Sequence, residues 1–145
     1  MFKTILVPTD GSPRSEKAVS AAVRFAKEIN GKIIGISIAE PHPSPLLSDS
    51  EFFGTTHGVG KNPHDLALEH VQKVAEAAAA EGVPCETVFV HAFKPHEEIL
   101  KTAAKYHCDL VFMAPIGKSG WTGLFLDSET QKVLTHATIP VLVYH

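Results

Sequence analysis

The sequence predicts an α/β fold in which one parallel sheet is covered by helices on both faces. Five short apolar segments alternate with four segments whose apolar residues recur at helical spacing. This alternation favours a parallel sheet, because a crossover helix returns the chain to start each strand in the same direction. The 145 residues, 44% hydrophobic and 20% charged, suit one domain with a sizeable core. We therefore expect residues 1–145 to form a single domain.

The opening of the chain predicts the first strand and the first helix. An apolar run at residues 5–7, stopped by Pro8, is typical of a strand buried on both faces. Ser12 before Pro13 predicts the start of a helix. A serine side chain accepts hydrogen bonds from the N–H groups of the first turn, and proline, which lacks an N–H, loses no hydrogen bond at the first helical position. Asn30 and the glycine after it favour a left-handed cap that ends this helix.

A second strand–helix unit follows, with a long interruption. Residues 33–39 predict the strand, whereas residues 41–63 are rich in proline and lack a periodic pattern. A loop of that length is typical of a functional lid, an interface or disorder. Asn62 before Pro63 predicts the cap of the second helix, and Gly82 predicts its end.

The third unit is predicted over residues 86–107. Residues 86–90 form a strand with Val88 and Val90 on one face. Residues 95–107 form a helix. Its expected inward positions are Ile99, Leu100, Ala103 and Ala104.

The last part of the chain predicts the central strand, the last helix and the final strand. Residues 110–114 are the most apolar run, as expected of a strand in the middle of a sheet. Ser128 with Gln131 forms a capping-box pattern that opens a helix, in which Val133 and Leu134 are expected to face inward. Residues 140–144 form the fifth strand.

The topology predicts where a ligand would bind. Right-handed crossovers leave few arrangements, and in the strand order 3-2-1-4-5 the first and fourth strands are neighbours. Ligands in such sheets bind beyond the carboxyl ends of the strands, where the strand order reverses. The segments after these two strands are residues 8–10 and 113–120. We therefore expect a binding site between them.

Charge and composition exclude several classes of protein. Thirteen basic and 16 acidic residues give a net charge of −3, which provides no overall attraction to nucleic acid or to an anionic membrane. No stretch approaches the roughly 20 apolar residues of a membrane span, and the first apolar run is too short for a signal peptide. Cys85 and Cys108 lack metal-like spacing and are expected to be reduced thiols in a cytoplasmic protein.

Residues throughout the chain resemble those of the universal stress protein family. The opening ILVPTDGS at residues 5–12, with Ala18, is similar to that family's first strand and turn. DLVFM at residues 109–113, GKSG at 117–120 and PVLV at 140–143 are similar to its C-terminal signature, together with Ser128 and KVL at 132–134. The resemblance implies a Rossmann-like three-layer fold, a homodimer, and binding of AMP or ATP with Mg²⁺.

The sequence departs from the glycine motif of the family's ATP-binding members. That motif has three glycines followed by a hydroxyl residue, and this chain has Ala114, Gly117 and Asp127 at the glycines and Ser128 at the hydroxyl. The carboxylate of Asp127 would lie beside the phosphates. Two unit charges ~5 Å apart repel by roughly 1–3 kcal/mol, which weakens binding about tenfold to a hundredfold. We therefore expect AMP, or weakly bound ATP, in preference to tightly bound ATP.

The resemblance also nominates residues for the nucleotide site. They are Pro8, Thr9, Asp10 and Ile38 around adenine and ribose, and Met113, Ala114, Gly117, Lys118, Asp127 and Ser128 along the ribose and phosphates. Lys118, or Mg²⁺ held by Asp10, would offset part of the repulsion from Asp127. Each nomination has a structural alternative: a turn residue for Asp10, a plain helix cap for Ser128 and core packing for Met113.

Three functions remain open from the sequence. The first is a regulatory or sensor protein that binds an adenine nucleotide. The second is the same fold with its site disabled by Asp127, acting through contacts with other proteins. The third is a weak ATPase, although no general base or nucleophile is evident, so we expect no enzyme. The apolar strand Val141 to Tyr144 at the chain end is expected to pair with its copy in a homodimer.

Other signals favour ordinary structure. Gly117-Lys118 resembles the end of a Walker A loop, but position 112 is Phe where that motif requires glycine. The glycine-rich residues 54–60 indicate a mobile loop. Trp121 either anchors a ligand or partner, or packs locally. Several histidines, none at the i, i+4 spacing of a zinc site, are expected to be solvated, with an adventitious metal ion as the alternative: His42, His57, His64, His70, His91 and His96.

Overall fold

The computed structural model describes residues 1–39, 62–115 and 128–145. Most of the predicted loop 41–63, including the glycine-rich residues 54–60, lies outside these ranges, as does Trp121. The strands are β1 (Thr4–Pro8), β2 (Lys32–Ala39), β3 (Cys85–His91), β4 (Leu110–Met113) and β5 (Val141–Val143). The helices are α1 (Pro13–Glu28), α2 (Pro63–Ala80), α3 (Pro95–Lys105) and α4 (Ser128–His136).

The five strands form one parallel sheet in the order β3-β2-β1-β4-β5. Ile5 of β1 pairs with Ile33 on one side and with Leu110 on the other, so β1 lies at the centre. The predicted fold class and strand order are both confirmed. The strand order reverses between β1 and β4, which places the ends of these two strands side by side.

The core consists of two layers, one on each face of the sheet. Successive residues of a strand point to opposite faces. Ile5 therefore packs with residues of α1 and α2, while Leu6 packs with residues of α3 and α4. All five residues of β1 are buried, as predicted for a strand covered on both sides.

Gly35 allows α2 to approach β2 closely. A Cβ atom at this position would lie 2.9 Å from Cγ1 and 3.2 Å from Cβ of Val74, which is 1% exposed. The glycine therefore provides the space into which the Val74 side chain packs, and it sets the distance between this helix and the sheet.

The predicted starts and ends of α1 and α2 are confirmed. Ser12 Oγ accepts a hydrogen bond from Ser15 N at 3.2 Å at the start of α1. Asn62 Oδ1 accepts one from Asp65 N at 2.8 Å at the start of α2. Asn30 and Gly82 follow α1 and α2 with positive φ angles of 54° and 70°. No helix within the described ranges is long and apolar enough to span a membrane.

Three local predictions are wrong. Helix α3 ends at Lys105, and Ala104 is exposed while Thr102 is buried in its place. Leu134 of α4 is 40% exposed. The two errors in burial, at Ala104 and Leu134, share a cause, because the sequence alone does not reveal which edge of an apolar stripe a neighbouring element covers.

The Asn62 cap gives a direct test of the start of α2. Asn62→Ala removes the acceptor for Asp65 N and should lower the free energy of unfolding by about 1 kcal/mol. Asn62→Asp retains an acceptor oxygen, and its charge suits a helix N-terminus, so it should cost little. Urea denaturation measures both values. Equal losses for the two variants would show that the cap does not stabilise the helix.

Candidate functional site

The loop after β1 is held in place by hydrogen bonds to β2 and to α1. Thr9 N donates to Ile36 O at 2.9 Å, which continues the sheet pairing one residue beyond β1. Asp10 Oδ1 accepts hydrogen bonds from Ser12 N at 2.9 Å and from Ser15 Oγ at 2.6 Å. Asp10 therefore has the turn role given above as its alternative. An ionised carboxylate retains further acceptor capacity, so the turn role does not exclude ligand binding.

The Asp10 carboxyl is kept ionised by this turn. Burial raises its pKa, but hydrogen bonds from Ser12 and Ser15 favour the charged form and outweigh burial, so the pKa is lowered. A carboxylate that stays charged accepts hydrogen bonds and binds cations. It therefore suits sugar hydroxyls or a hard divalent ion such as Mg²⁺.

A small cavity lies at the carboxyl edge of the sheet, beside this loop. It is lined by Pro8, Thr9, Asp10, Ser15, Ile36, Ile38, Pro95, Ile99 and Ala114. Five of these residues are among those nominated from the sequence: Pro8, Thr9, Asp10, Ile38 and Ala114. The volume is about 90 Å³, below the roughly 300 Å³ of a small ordinary ligand site. The cavity thus has room for only part of a nucleotide.

Four lining residues were missed by sequence reasoning, and three of them had a signal. Ile36 lies two positions from Ile38, and residues at that spacing share one face of a strand. Pro95 and Ile99 are four positions apart at the start of α3, so they share a helix face at the same edge of the sheet. Ser15 gave no comparable signal, because its role depends on the folded turn.

The remaining nominated residues lie elsewhere or outside the described ranges. Met113 is fully buried in the core with α3 and α4 and is not among the residues that line the cavity. Its side chain thus has the packing role given above as its alternative. Ser128 is the first residue of α4. Gly117, Lys118 and Asp127 lie outside the described ranges.

The starts of α3 and α4 are joined next to the cavity. His96 N and His96 Nδ1 lie 3.2 Å and 2.9 Å from Glu129 Oε2, and Lys132 Nζ lies 3.1 Å from Glu129 Oε1. His96 follows the cavity-lining Pro95, and Glu129 follows Ser128. These contacts bring the N-terminus of α4 towards the cavity, and a helix N-terminus favours an anion such as phosphate.

The Glu129 contacts predict a pH-dependent stability. Burial raises the Glu129 pKa, but hydrogen bonds from His96 and Lys132 outweigh burial and lower it. The ionised form therefore stabilises the fold above the ordinary pKa of a glutamate, and this contribution is lost as the pH falls through the lowered value. Glu129→Gln should lower the free energy of unfolding by about 1 kcal/mol at pH 7. The loss is modest because Glu129 and its partners His96 and Lys132 retain some contact with solvent.

Urea denaturation of wild type and Glu129→Gln between pH 7 and pH 3 measures this contribution. The difference between the two proteins should shrink with acidification. Glu97→Gln is the matched control, because Glu97 pairs with Lys94 at 3.6 Å on the exposed surface. A difference for Glu129→Gln that stays constant over this pH range would contradict the assignment.

A larger cavity of about 510 Å³ lies between α1 and α2. Glu16, His70 and Lys73 are among its lining residues, and Lys73 Nζ lies 3.0 Å from Glu16 Oε1. Among the described residues that line it, Thr9 alone is one of those nominated. The smaller cavity is therefore the better candidate, because it combines five nominated residues with the edge where the strand order reverses.

Neither cysteine is positioned as a reactive thiol. Cys85 and Cys108 are both free, and burial raises the pKa of each, that of Cys108 to about 11. A thiol with a raised pKa is a weak nucleophile near neutral pH. Within the described ranges, no group of three or more His, Cys, Asp or Glu side chains is placed to hold a metal ion.

Comparison with known proteins gives one consistent family. A family model described as the universal stress protein family matches residues 1–145. A universal stress protein of Thermus aquaticus is 35% identical over 144 residues, covering 99% of this chain and 98% of the relative. The universal stress protein YxiE of Bacillus subtilis is 31% identical over 150 residues and covers 99% of each chain.

Solved structures show the same fold. Hypothetical protein MJ0577 of Methanocaldococcus jannaschii superposes with a TM-score of 0.72 at 27% identity, covering 99% of this chain and 95% of that one. A universal stress protein in complex with cAMP superposes with a TM-score of 0.70 at 25% identity, covering 99% and 97% of the two chains.

Proposed function

Because the chain belongs to the universal stress protein family, we propose that it is a regulatory or sensor protein that binds an adenine nucleotide. The observation that carries the proposal is the convergence of five nominated residues on one cavity where the strand order reverses. A cAMP complex of a structural relative at 25% identity supports this class of ligand. The proposal includes a single domain over residues 1–145 and a cytoplasmic location, with no catalytic role.

The cavity offers separate surfaces for the parts of a nucleotide. Ile36, Ile38 and Ile99 provide an apolar surface that suits the flat adenine ring. Asp10 lies beside them as a charged acceptor for ribose hydroxyls, or for Mg²⁺ bound with phosphates. The phosphates would extend beyond the cavity towards the N-terminus of α4 at Ser128, where the helix dipole favours anions.

Asp127 determines which nucleotide is expected. In the proposed arrangement its carboxylate stands beside the phosphates in place of a glycine, and Gly117 and Lys118 belong to the same part of the site. Each additional phosphate adds negative charge, so the repulsion falls more heavily on ATP than on AMP. We therefore propose AMP, or ATP bound weakly with Mg²⁺, as the ligand.

Calorimetric titration with AMP and ATP, with and without Mg²⁺, tests this proposal. Wild type should bind AMP more tightly than ATP, and Asp127→Gly should tighten ATP binding about tenfold to a hundredfold. Asp127→Asn removes the negative charge without introducing the backbone freedom of glycine, so it separates these two effects on ATP binding. Asp65→Asn is the matched control, since it removes one negative charge at the start of α2.

Each outcome distinguishes one function. Absence of heat with wild type and with Asp127→Gly would overturn nucleotide binding. Absence of heat with wild type but clear binding by Asp127→Gly would favour a protein that acts through contacts with other proteins. Micromolar ATP binding by wild type would refute the repulsion argument. Release of phosphate above a control without protein would indicate an ATPase.

We also propose a homodimer that forms through the β5 edge of the sheet. Tyr144 N donates to Met113 O at 2.7 Å, which directs that N–H towards β4. Backbone groups alternate in direction along a strand, so the N–H of Val143 points away from β4. A second copy of β5 would satisfy such outward groups in a two-fold contact.

Val143→Pro tests the dimer, because it removes an outward N–H but no hydrogen bond to β4. Light scattering of wild type should give twice the 15.6 kDa of one chain, and the variant should approach a single chain. The control is Val143→Thr, which keeps the N–H and the β-branched shape. A wild-type mass near 15.6 kDa at micromolar concentration would overturn the dimer.

A further inference from the structure

The first turns of α3 and α4 meet through one carboxylate. Glu129 lies in the first turn of α4. Its Oε2 atom accepts a hydrogen bond from His96 N at 3.2 Å and lies 2.9 Å from His96 Nδ1. The Glu129 and His96 side chains are 22% and 14% exposed. The carboxylate of one helix is therefore bound at the start of the other, in a place largely shielded from water.

Glu129 supplies a cap that α3 does not provide for itself. The N-cap residue of α3 is Lys94, whose side chain makes no capping hydrogen bond. His96 N is one of the N–H groups that the first turn of a helix leaves without a partner in that helix. Glu129 Oε2 accepts from this group and lies at the positive end of the α3 dipole. The carboxylate thus serves α3 rather than α4, the helix that carries it.

The imidazole of His96 completes this arrangement. Burial raises the pKa of Glu129, but hydrogen bonds from His96 and Lys132 outweigh burial and lower the pKa, so the carboxylate is ionised at neutral pH. An ionised carboxylate only accepts hydrogen bonds, so His96 Nδ1 carries the proton in this contact. The ring of His136 lies on another side, with its centroid 6.2 Å from that of His96. The imidazole is therefore held between the carboxylate and a second ring.

A Glu129 carboxylate released by His96 would have another place to bind. An acidic side chain in the first turn of a helix is attracted to the N-terminus of its own helix. For Glu129 this is the start of α4, where the proposed nucleotide site places the phosphates. The released carboxylate would compete with a phosphate for the same end of the helix dipole, and the two negative charges would repel each other.

We propose that His96 is a positioning residue of the nucleotide site: it holds the Glu129 carboxylate at the start of α3 and so keeps the start of α4 available to phosphate. This inference rests on the proposed binding of an adenine nucleotide. Adenine and ribose are assigned to the cavity, and His96 is not among the described residues that line it. The effect of His96 should therefore fall on the phosphate and leave binding of the nucleoside unchanged.

Calorimetric titration with AMP and with adenosine tests this role. His96→Ala should weaken AMP binding about threefold to tenfold and leave adenosine affinity within about twofold of wild type. His96→Asn should bind AMP as wild type does, because the asparagine amide can donate from a position close to that of Nδ1. The double variant His96→Ala/Glu129→Gln should also recover AMP affinity, because the competing charge is gone.

His107→Asn is the matched control. His107 follows the opposite end of α3, is exposed and has a positive φ of 52°, a conformation that asparagine tolerates. This variant should bind both ligands as wild type does. Circular dichroism establishes that each variant is folded. His96→Leu, which keeps the bulk of the side chain without its donor, replaces His96→Ala if the alanine variant unfolds.

The outcomes separate this inference from the proposed function. Equal losses of AMP and adenosine affinity in His96→Ala would overturn the role of His96, and so would a double variant that binds AMP as weakly as His96→Ala. Both results would leave the nucleotide site itself in place. A wild type that binds neither AMP nor adenosine would overturn the proposed function, and the role of His96 with it.

Discussion

Asp10→Asn is expected to weaken AMP binding by roughly tenfold to a hundredfold while the protein stays folded. Asparagine keeps an Oδ1 atom, which can still accept the hydrogen bonds from Ser12 N and Ser15 Oγ. It replaces the second carboxylate oxygen with a donor and removes the negative charge. Hydrogen bonds to a charged group contribute about 1.5–3 kcal/mol, which gives the expected loss of affinity. Calorimetry with AMP measures it.

Ser15→Ala is the control for this prediction. It removes the 2.6 Å hydrogen bond to Asp10 but leaves the carboxylate in place. The variant should therefore loosen the turn and lower stability, with a smaller loss of AMP affinity than Asp10→Asn. If Asp10→Asn bound AMP as tightly as wild type, Asp10 would be a turn residue only, and the ribose would have to be held by other groups.

Gly35→Ala is expected to lower the free energy of unfolding by about 1–3 kcal/mol, because it overpacks a close contact. The added methyl group would lie 2.9 Å from Cγ1 of Val74, in a fully packed layer between α2 and β2. Either the Val74 side chain or the whole helix must shift to accommodate it. Urea denaturation of the purified variant measures the loss.

The double variant Gly35→Ala/Val74→Ala tests the cause. Val74→Ala alone should also destabilise the protein, because it leaves a cavity beside Gly35. In the double variant the methyl group added at position 35 fills space left by the smaller side chain at position 74. Its free energy of unfolding should therefore fall by less than the sum of the two single losses. Additive losses would show that the methyl group added at position 35 does not compete with the Val74 side chain for space.

The strand order and the ends of α1 and α2 were predictable because their causes are local or general. Ser12 and Asn62 cap helices through hydrogen bonds to residues three positions away, which a sequence pattern reveals. The parallel sheet follows from alternating elements and right-handed crossovers. Burial of single helix positions was less predictable, as Ala104 and Leu134 illustrate, because it depends on which neighbour covers each side of a helix.

The candidate site was predictable at its strand ends and less so at its helices. Pro8 to Asp10 and Ile38 lie at the carboxyl ends of β1 and β2, which must meet at one edge of the sheet. Ser15 joins the cavity through a turn hydrogen bond that no sequence spacing signals. The contact between His96 and Glu129 joins residues 33 positions apart through the meeting of two helix starts. Only the folded chain brings these two side chains together.

Cys108 gives the fold an internal reporter of local opening. Its side chain is buried where α3 returns to β4, it packs with Ile99 and Val133, and its N–H donates to Ala103 O at 2.9 Å. Burial raises the pKa of this thiol to about 11, so the thiol is protonated at neutral pH and reacts slowly while the layer stays packed. A faster modification of Cys108 under mildly destabilising conditions would therefore report loosening of α3, which allows the helix beside the candidate site to be followed without an added label.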